Sequence, residues 1–326
     1  MSQAPNIDGV LIQWGDRLFY PGNRVVKTKP QPKLGANAAR QRAAAIRGRI
    51  EATVVRRAPQ VMVKVTGGGR GMKAIAAHFR YISKNGRLDI EDERGETMRG
   101  KDTLPELADD WRFGGTLIDD IGDRREAFNI MLSMPRATDP LAVQKAAREF
   151  AQIELADHKY VMVLHDHQAN PHVHISVRAE SKTGKRLNPR KADLHRWRET
   201  FAEKLRGHGI EAEATRQATR GRLGNFEPLW RIKAKEDGRL RATRPTTKRS
   251  ANTMATRSAA IDAWREIARA LAASGDKSDR DLAQSVSRYV GEMPVLVGAG
   301  RAKESEVPSE KIRLVEQEPG GSIRER

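Results

Sequence analysis

The feature that most constrains this chain is a run of histidines that lies between two strand-like segments. The run reads His165-Asp-His-Gln-Ala-Asn-Pro-His-Val-His174 and follows the apolar stretch 160–164. Side chains alternate along a strand, so His172 and His174 point the same way from a strand that begins at His172. A strand that ends at His165 adds a third imidazole. This spacing predicts a metal site with an open side, because three imidazoles can hold a divalent ion and leave positions free.

Histidine is scarce elsewhere in the chain. There are 8 histidines in 326 residues, and four of them fall within these ten positions. A set of surface histidines with no shared ligand is the alternative interpretation, and the clustering argues against it. His167 shares the alternation of His165, so it could be a ligand, a residue that orients a ligand or a proton shuttle. We expect surface or capping roles for the others, which lack such neighbours: His78, His158, His195 and His208.

The net charge of the chain indicates a polyanionic partner. Lys and Arg number 60 against 42 Asp and Glu, which gives a net charge of +18. A field of that sign attracts nucleic acid, although a basic surface without this role is the alternative. The absence of cysteine excludes disulfides and thiolate metal sites. No apolar run approaches the roughly 20 residues that span a bilayer, and no signal-peptide pattern begins the chain, so we expect a cytoplasmic protein.

Hydrophobic periodicity divides the chain into three parts. Residues 59–225 carry regular patterns and predict one folded domain. Residues 1–58 predict a basic, largely disordered N-terminal extension. Residues 226–326 predict a basic C-terminal extension, with amphipathic helices at about 258–273 and 278–290 and a disordered tail. Both extensions are therefore expected to be flexible.

The central part predicts an α+β fold. Its order is strand, helix, strand, helix, strand, strand, helix, with little pattern in residues 86–123. A short loop joins the two histidine strands, so they pair antiparallel, and we expect an antiparallel-rich central sheet with helices packed on one face. Alternation turns these apolar side chains toward the helices: Phe128, Ile130, Leu132, Val173, Ile175 and Val177. It leaves these polar side chains on the other face: Asn129, Ser133, His172, His174 and Ser176.

Tyr81 is the candidate nucleophile. It lies on a predicted helix over residues 73–84, about 120° from the apolar stripe of Ile75, Phe79 and Ile82. A phenol kept away from the core can reach a phosphate, although an amphipathic tyrosine at a packing edge is the alternative. A tyrosine beside a metal suits phosphodiester cleavage by transesterification, in which the phenolate attacks phosphorus and the ion offsets the developing charge. The phosphotyrosine product conserves bond energy, so the break can be resealed.

Together these residues resemble the relaxases of conjugative and mobilisable plasmids, within the HUH (His-hydrophobic-His) endonuclease superfamily. The similarity is to the branch that includes the T-DNA border endonuclease, and it covers about residues 60–222. Four motifs carry it: the Gly67–Gly69 turn followed by Tyr81-Ile-Ser-Lys84, the strand end Ser133-Met-Pro135, the histidine run 165–174, and His208-Gly-Ile210 at the end of an Arg-rich helix.

The resemblance implies roles for individual residues. Tyr81 would be the nucleophile, with Mg²⁺ or Mn²⁺ as the divalent ion. The metal ligands would be His165, His172 and His174. The residues that surround these ligands without binding the ion would be His167, Asn170 and Ser133. His167 stands where the family usually has Asp, so a carboxylate that would orient a ligand is missing at that point.

The resemblance further implies a site- and strand-specific relaxase that nicks one strand at a plasmid transfer origin and forms a 5′-phosphotyrosine adduct for conjugative transfer. Its partners would be DNA, single-stranded at the nick and duplex beside it, together with auxiliary nicking proteins and a type IV secretion or coupling apparatus. A basic surface would follow the phosphates. Its candidate residues, for which solvated surface is the alternative, are Arg136, Arg178, Lys185, Arg186, Arg190 and Lys191.

Three other functions remain open at this point. A replication initiator or transposase of the HUH type would differ mainly in its target and its added domains, and no helicase motif is visible. A non-catalytic DNA-binding module on the same scaffold would not need the histidines and the tyrosine together. A metal-binding protein without nuclease activity would leave the large positive charge unexplained.

Overall fold

The structure is a computed structural model that describes residues 6–20, 36–168, 170–222, 234, 237–239, 251–294 and 296. The described residues form eight helices: α1 (Ile7–Phe19), α2 (Ala36–Val54), α3 (Met72–Ile82), α4 (Thr103–Phe113), α5 (Pro140–Glu154), α6 (Lys191–Gly207), α7 (Ala251–Ala272) and α8 (Lys277–Gly291). They also form six strands: β1 (Met62–Gly67), β2 (Ile90–Asp92), β3 (Thr97–Met98), β4 (Ala127–Ser133), β5 (His158–His165) and β6 (His172–Ser181).

The strands form one sheet in the order β1-β4-β6-β5-β2-β3, and every neighbouring pair is antiparallel. The histidine hairpin is β5 and β6, with His165 opposite His172. On the other side of β6, Ser133 of β4 is also opposite His172. The α+β class and the antiparallel sheet are confirmed. β2 and β3, which lie in residues 86–123, have three and two residues and are too short to show alternation.

One face of the sheet, here called the core face, is covered by α5 and α6. Alternate side chains of β4, β5 and β6 are buried against these helices. Fully burying one such side chain contributes about 1.5–3 kcal/mol, so this face is a major source of stability. Its buried residues include Phe128, Ile130, Leu132, Met162, Val173, Ile175 and Val177, with Phe150 of α5 and Trp197 and Phe201 of α6.

The opposite face, here called the site face, is partly covered by α3 and α4. Val161 and Val163 of β5 project to this side and pack in one cluster with Phe79 of α3 and Trp111 of α4. Helices therefore lie on both faces, not on one face as the sequence led us to expect. The reason is that β5 is apolar at consecutive positions, which is typical of a strand that is buried on both sides. The polar set predicted for this face does share it, because Asn129 pairs directly with Ser176 across the sheet.

The helices from the two ends of the chain pack together. Apolar residues of α1, α2, α7 and α8 form a second cluster that includes Leu18, Ile46, Trp264 and Val286. The expected disorder before residue 59 is wrong for the described residues 6–20 and 36–58, which are largely helical. Short amphipathic helices are marginal alone, and here the partner that buries them lies more than 200 residues away in the sequence. Helices are also present at the two predicted C-terminal positions, whereas residues 297–326 lie outside the described residues.

Arg49 of α2 joins this helical unit to the rest of the protein. Its guanidinium donates hydrogen bonds to Glu213 and to Glu199 of α6, each at 3.0 Å, and lies 4.7 Å from the centroid of the Phe19 ring. Burial by itself lowers the pKa of Arg49, and the two carboxylates raise it above its ordinary value. The domain limits at 59 and 225 stay predictions. Among the described residues, none of the helices has the length and hydropathy to cross a membrane.

Candidate metal centre and active site

Three imidazoles meet where β5 ends and β6 begins. Nitrogen atoms of His165, His172 and His174 all lie within 4.8 Å of one another. Their ring centroids are 5.0 Å (165–172), 4.6 Å (165–174) and 5.0 Å (172–174) apart. All three side chains are buried, and the strand register places them together. The group, here called the histidine triad, has the composition and spacing that could hold a divalent ion.

Backbone carbonyls orient two rings of the triad. Nε2 of His165 donates a hydrogen bond to the carbonyl oxygen of Ile82 at 2.6 Å, and Nδ1 of His172 donates to that of Asn170 at 2.9 Å. A carbonyl only accepts, so these nitrogens carry the protons and the opposite nitrogens keep their lone pairs. Nδ1 of His165 and Nδ1 of His174 are buried with no hydrogen-bond partner among the described residues. Buried nitrogens left in this way fit a metal ion as the missing partner.

For two histidines of the triad, burial favours the neutral form that binds metals. Burial, together with the neighbouring histidines, lowers the pKa of His174 to about 3. Burial also lowers the pKa of His165, against the hydrogen bond to Ile82, which raises it. Imidazoles that are neutral at pH 7 can bind a divalent ion without first losing a proton. Three imidazole ligands leave coordination positions for water or a phosphate oxygen.

Tyr81 lies in the last turn of α3 beside the triad. Its side chain is 69% exposed, and its ring centroid is 6.4 Å from that of His174. The predicted apolar stripe of α3 is confirmed, because Ile75, Phe79 and Ile82 are all buried. The carbonyl oxygen of Ile82 accepts the hydrogen bond from His165, so the end of the helix is tied to the triad. The fold therefore presents a phenol at the edge of the candidate metal centre.

The residues that the resemblance places beside the ligands all border the triad. Ser133 is buried opposite His172, and its hydroxyl lies 3.4 Å from the carbonyl oxygens of Met134 and Pro171. Asn170 contacts His172 through its backbone carbonyl. The exposed ring of His167 has its centroid 5.1 Å from that of His165. An imidazole, which can be a donor or a ligand, thus stands where the family usually has a carboxylate.

The six candidate basic residues separate into three groups, and the first consists of the buried Arg178. Arg178 is 4% exposed and donates hydrogen bonds to the carbonyl oxygens of Trp111, at 2.6 Å, and Thr116. Burial lowers its pKa. The expectation that Arg178 binds DNA does not hold in this structure, because its guanidinium is enclosed by the backbone of residues 111–116, at the end of α4 and just after it. The sequence pattern shows only that Arg178 lies on a strand, so it cannot reveal that backbone from another element encloses the guanidinium.

Two more basic residues lie far from the triad. Lys185 and Arg186 follow Ser181, the last residue of β6, which is nine residues from His172 and so roughly 30 Å away along the strand. Arg186 is paired with Glu126 at 3.2 Å and with Glu180 at 3.3 Å. These two are positioned for flanking DNA at most.

The third group is exposed. Arg136 follows β4 directly beyond Ser133, at the end of the sheet that holds the triad. Arg190 and Lys191 lie at the start of α6, where the backbone N–H of Arg190 donates to Asp193 at 2.9 Å. Of the six candidates, Arg136 is therefore the exposed one that lies near the triad through strand pairing, because Ser133, three residues before it, is opposite His172.

Sequence reasoning missed two parts of the site. The first is the open floor of the site face: Met62, Lys64 and Thr66 of β1 are exposed, and Lys64 pairs with Met131, which pairs with His174. The alternation of Val63, Lys64 and Val65 was a usable signal for this. The second part is His78, whose ring lies beside both Tyr81 and His174. His78 lies three residues before Tyr81 on α3, and this spacing was a usable signal for their contact. Its contact with His174 joins two elements and had no signal in the sequence.

An antiparallel sheet with a His-hydrophobic-His strand, a third imidazole on the adjacent strand and a tyrosine at its edge defines the site of an HUH-type nuclease. Residues 81–210 match the family model described as "Relaxase: MobA/VirD2-like, nuclease domain". This similarity supports a DNA-binding, DNA-nicking relaxase of the HUH superfamily in general terms. A search of curated proteins found no match to the chain.

Proposed function

We propose that this relaxase nicks one DNA strand at a plasmid transfer origin, with Tyr81 as the nucleophile and the histidine triad as the metal site. The observation that carries the proposal is the exposed Tyr81 ring 6.4 Å from the ring of His174. The phenol oxygen attacks phosphorus, the bond from phosphorus to the 3′ oxygen breaks, and the phenol proton leaves to solvent or a base. The products are a 5′-phosphotyrosine on the protein and a free 3′ hydroxyl on the DNA.

Each part of the site has a task in this reaction. A divalent ion, proposed as Mg²⁺ or Mn²⁺, would be held by His165, His172 and His174 and would offset the charge that builds up on the phosphate. The carbonyls of Ile82 and Asn170 fix the ring orientations of two ligands before DNA arrives. Because these bonds are already formed, no reorganisation of those rings is needed during the reaction.

The open floor of the site face supports single-stranded DNA as the form that is cut. Lys64 and Thr66 are exposed on β1, and Asn129 and Met131 are partly exposed on β4. An extended strand that crosses this floor would place a phosphate between Tyr81 and the triad, with Arg136 beside it. Arg190, Lys191, Lys185 and Arg186 are proposed contacts to the flanking duplex.

The direct test is detection of the covalent adduct. Origin-bearing supercoiled DNA is incubated with the protein and Mn²⁺, and nicked DNA is examined for protein that survives detergent. Wild type should give the adduct, and a chelator should abolish it. Tyr81→Phe should remove the adduct and retain DNA binding. The matched control is Tyr160→Phe, because Tyr160 is buried on the core face and burial raises its pKa to about 12. An adduct with Tyr81→Phe would refute the assignment of the nucleophile.

The same assay addresses the other candidate functions. A replication initiator or transposase would form the adduct at its own origin or transposon end and would not support plasmid transfer. A non-catalytic module would bind DNA in every variant and form no adduct. If transfer is the function, auxiliary nicking proteins and a type IV secretion or coupling apparatus are the proposed partners, and the cytoplasm, where plasmid DNA lies, is the proposed location.

A further inference from the structure

We propose that His78 is a positioning residue that holds the Tyr81 ring beside the histidine triad. The inference rests on the proposed function of Tyr81 and deepens it. Three rings form a triangle: the centroids of His78 and Tyr81 are 6.1 Å apart, and each is 6.4 Å from that of His174. Tyr81 is therefore located by a ring on its own helix and by a ring of the candidate metal centre.

The helix sets the contact between His78 and Tyr81. Residues three apart lie on the same side of an α-helix, so the two side chains are neighbours on α3. Their rings stack with an interplanar angle of 28°, while both are nearly perpendicular to the ring of His174, at 76° and 79°. Stacked and edge-to-face pairs at these separations are the favoured aromatic geometries.

The fold does not use Nε2 of His78. This nitrogen is buried and has no hydrogen-bond partner among the described residues. The described contacts of His78 that bear on the site are ring contacts, and these are what a substitution should test.

The size of the expected effect follows from the exposure of Tyr81. A side chain that is 69% exposed is free to leave its rotamer unless its ring contacts hold it. The favourable energy of one aromatic pair changes such a population by about 2- to 10-fold. Loss of the His78 ring should therefore lower the rate of attack by about this factor. It should not change the affinity for DNA, because the strand contacts other residues.

The experiment measures single-strand cleavage by the full chain with an oligonucleotide that carries the transfer-origin nick site. His78→Ala should lower kcat by about 2- to 10-fold and leave KM unchanged. His78→Phe restores a ring and should recover more than half of the wild-type kcat. His208→Ala is the matched control, because this histidine pairs with Glu149 away from the site, and its kcat should equal that of wild type. Equal losses of kcat in His78→Ala and His78→Phe, or no loss in either, would overturn the proposal.

A second measurement does not depend on activity. The tyrosine rings of the intact protein are labelled with carbon-13, and Tyr81→Phe assigns the Tyr81 signal in the NMR spectrum. His78→Ala should move that signal toward the value of a free tyrosine, whereas His78→Phe should keep it near its wild-type position. If the wild type forms no adduct but the signal moves as expected, the proposed function fails and the positioning role stands. If the signal does not move in His78→Ala, the positioning role is wrong whatever the activity.

Discussion

The two faces of the sheet have different roles in this protein. His174 and Ile175 are neighbours on β6 and are 8% and 0% exposed, yet one belongs to the histidine triad and the other to the core beneath α5 and α6. Strand alternation alone separates them. A similar degree of burial therefore has different consequences on the two faces. On the core face it stabilises the fold, and on the site face it favours neutral imidazoles that can bind a ligand.

The site face carries more buried polar atoms without a partner than the core face does. Among the described residues, His165, His174 and His78 each have such a nitrogen on the site face, whereas the core-face cluster has Nε1 of Trp197. Each buried polar atom without a partner is unfavourable for folding. A chain selected for stability alone would place apolar side chains at these positions. The contrast predicts that substitutions on the site face change the cleavage rate more than they change the free energy of unfolding.

The largest expected effect comes from the neighbouring pair on β6. His174→Ala should lower cleavage by at least about 100-fold, because a proposed metal ligand is lost. Ile175→Ala should lower the free energy of unfolding by about 2–5 kcal/mol and leave kcat within a few-fold at a temperature where the variant is folded. Cleavage rates and urea unfolding curves measure the two quantities. If Ile175→Ala were the less active variant, the division between the faces would be wrong.

A smaller effect should separate two arginines. Arg178→Met should lower the free energy of unfolding by about 2–3 kcal/mol, because the buried carbonyls of Trp111 and Thr116 lose a charged donor. Arg136→Ala should leave stability unchanged. It should reduce the slope of log affinity against log salt for single-stranded DNA by about 0.7, the share of one phosphate contact. An Arg178→Met variant with native stability and a reduced salt slope would restore Arg178 as a DNA contact.

The smallest effect is the loss of stability at acidic pH, and it concerns buried histidines that lie outside the triad. Burial lowers the pKa of His158 and of His195, and both lie outside the triad. Each binds a proton less readily in the folded protein than in the unfolded chain, where a histidine is protonated below pH about 6.5. The unfolded state then holds more protons, so the free energy of unfolding should fall as the pH is lowered from 7 to 5.

Urea unfolding at the two pH values, with a chelator present, measures this loss. His195→Gln can still donate to the carbonyl of Phe19, as Nε2 of His195 does at 3.1 Å, and it should lose less stability in acid than wild type. An identical loss in both proteins would contradict the role of His195.

Much of the fold followed from local patterns, and the gaps have a common cause. Alternation in β4 and β6 correctly assigned Leu132 and Val173 to the core face and His172 to the site face. It did not reveal that α3 and α4 cover part of the site face, since β5 is apolar at consecutive positions. The helical unit built from both chain ends was also missed, because each helix finds its apolar partner far away in sequence.

The histidine triad was determined by the sequence itself, because a two-residue period and a short Asn-Pro turn leave His165, His172 and His174 no other face to occupy. Only the tertiary structure decided which other side chains reach them. It set the ends of α3 so that Tyr81 and His78 stand beside the triad, and it enclosed Arg178 beneath the backbone of residues 111–116. Periodicity specifies a direction within one element, whereas proximity between elements depends on how whole surfaces pack.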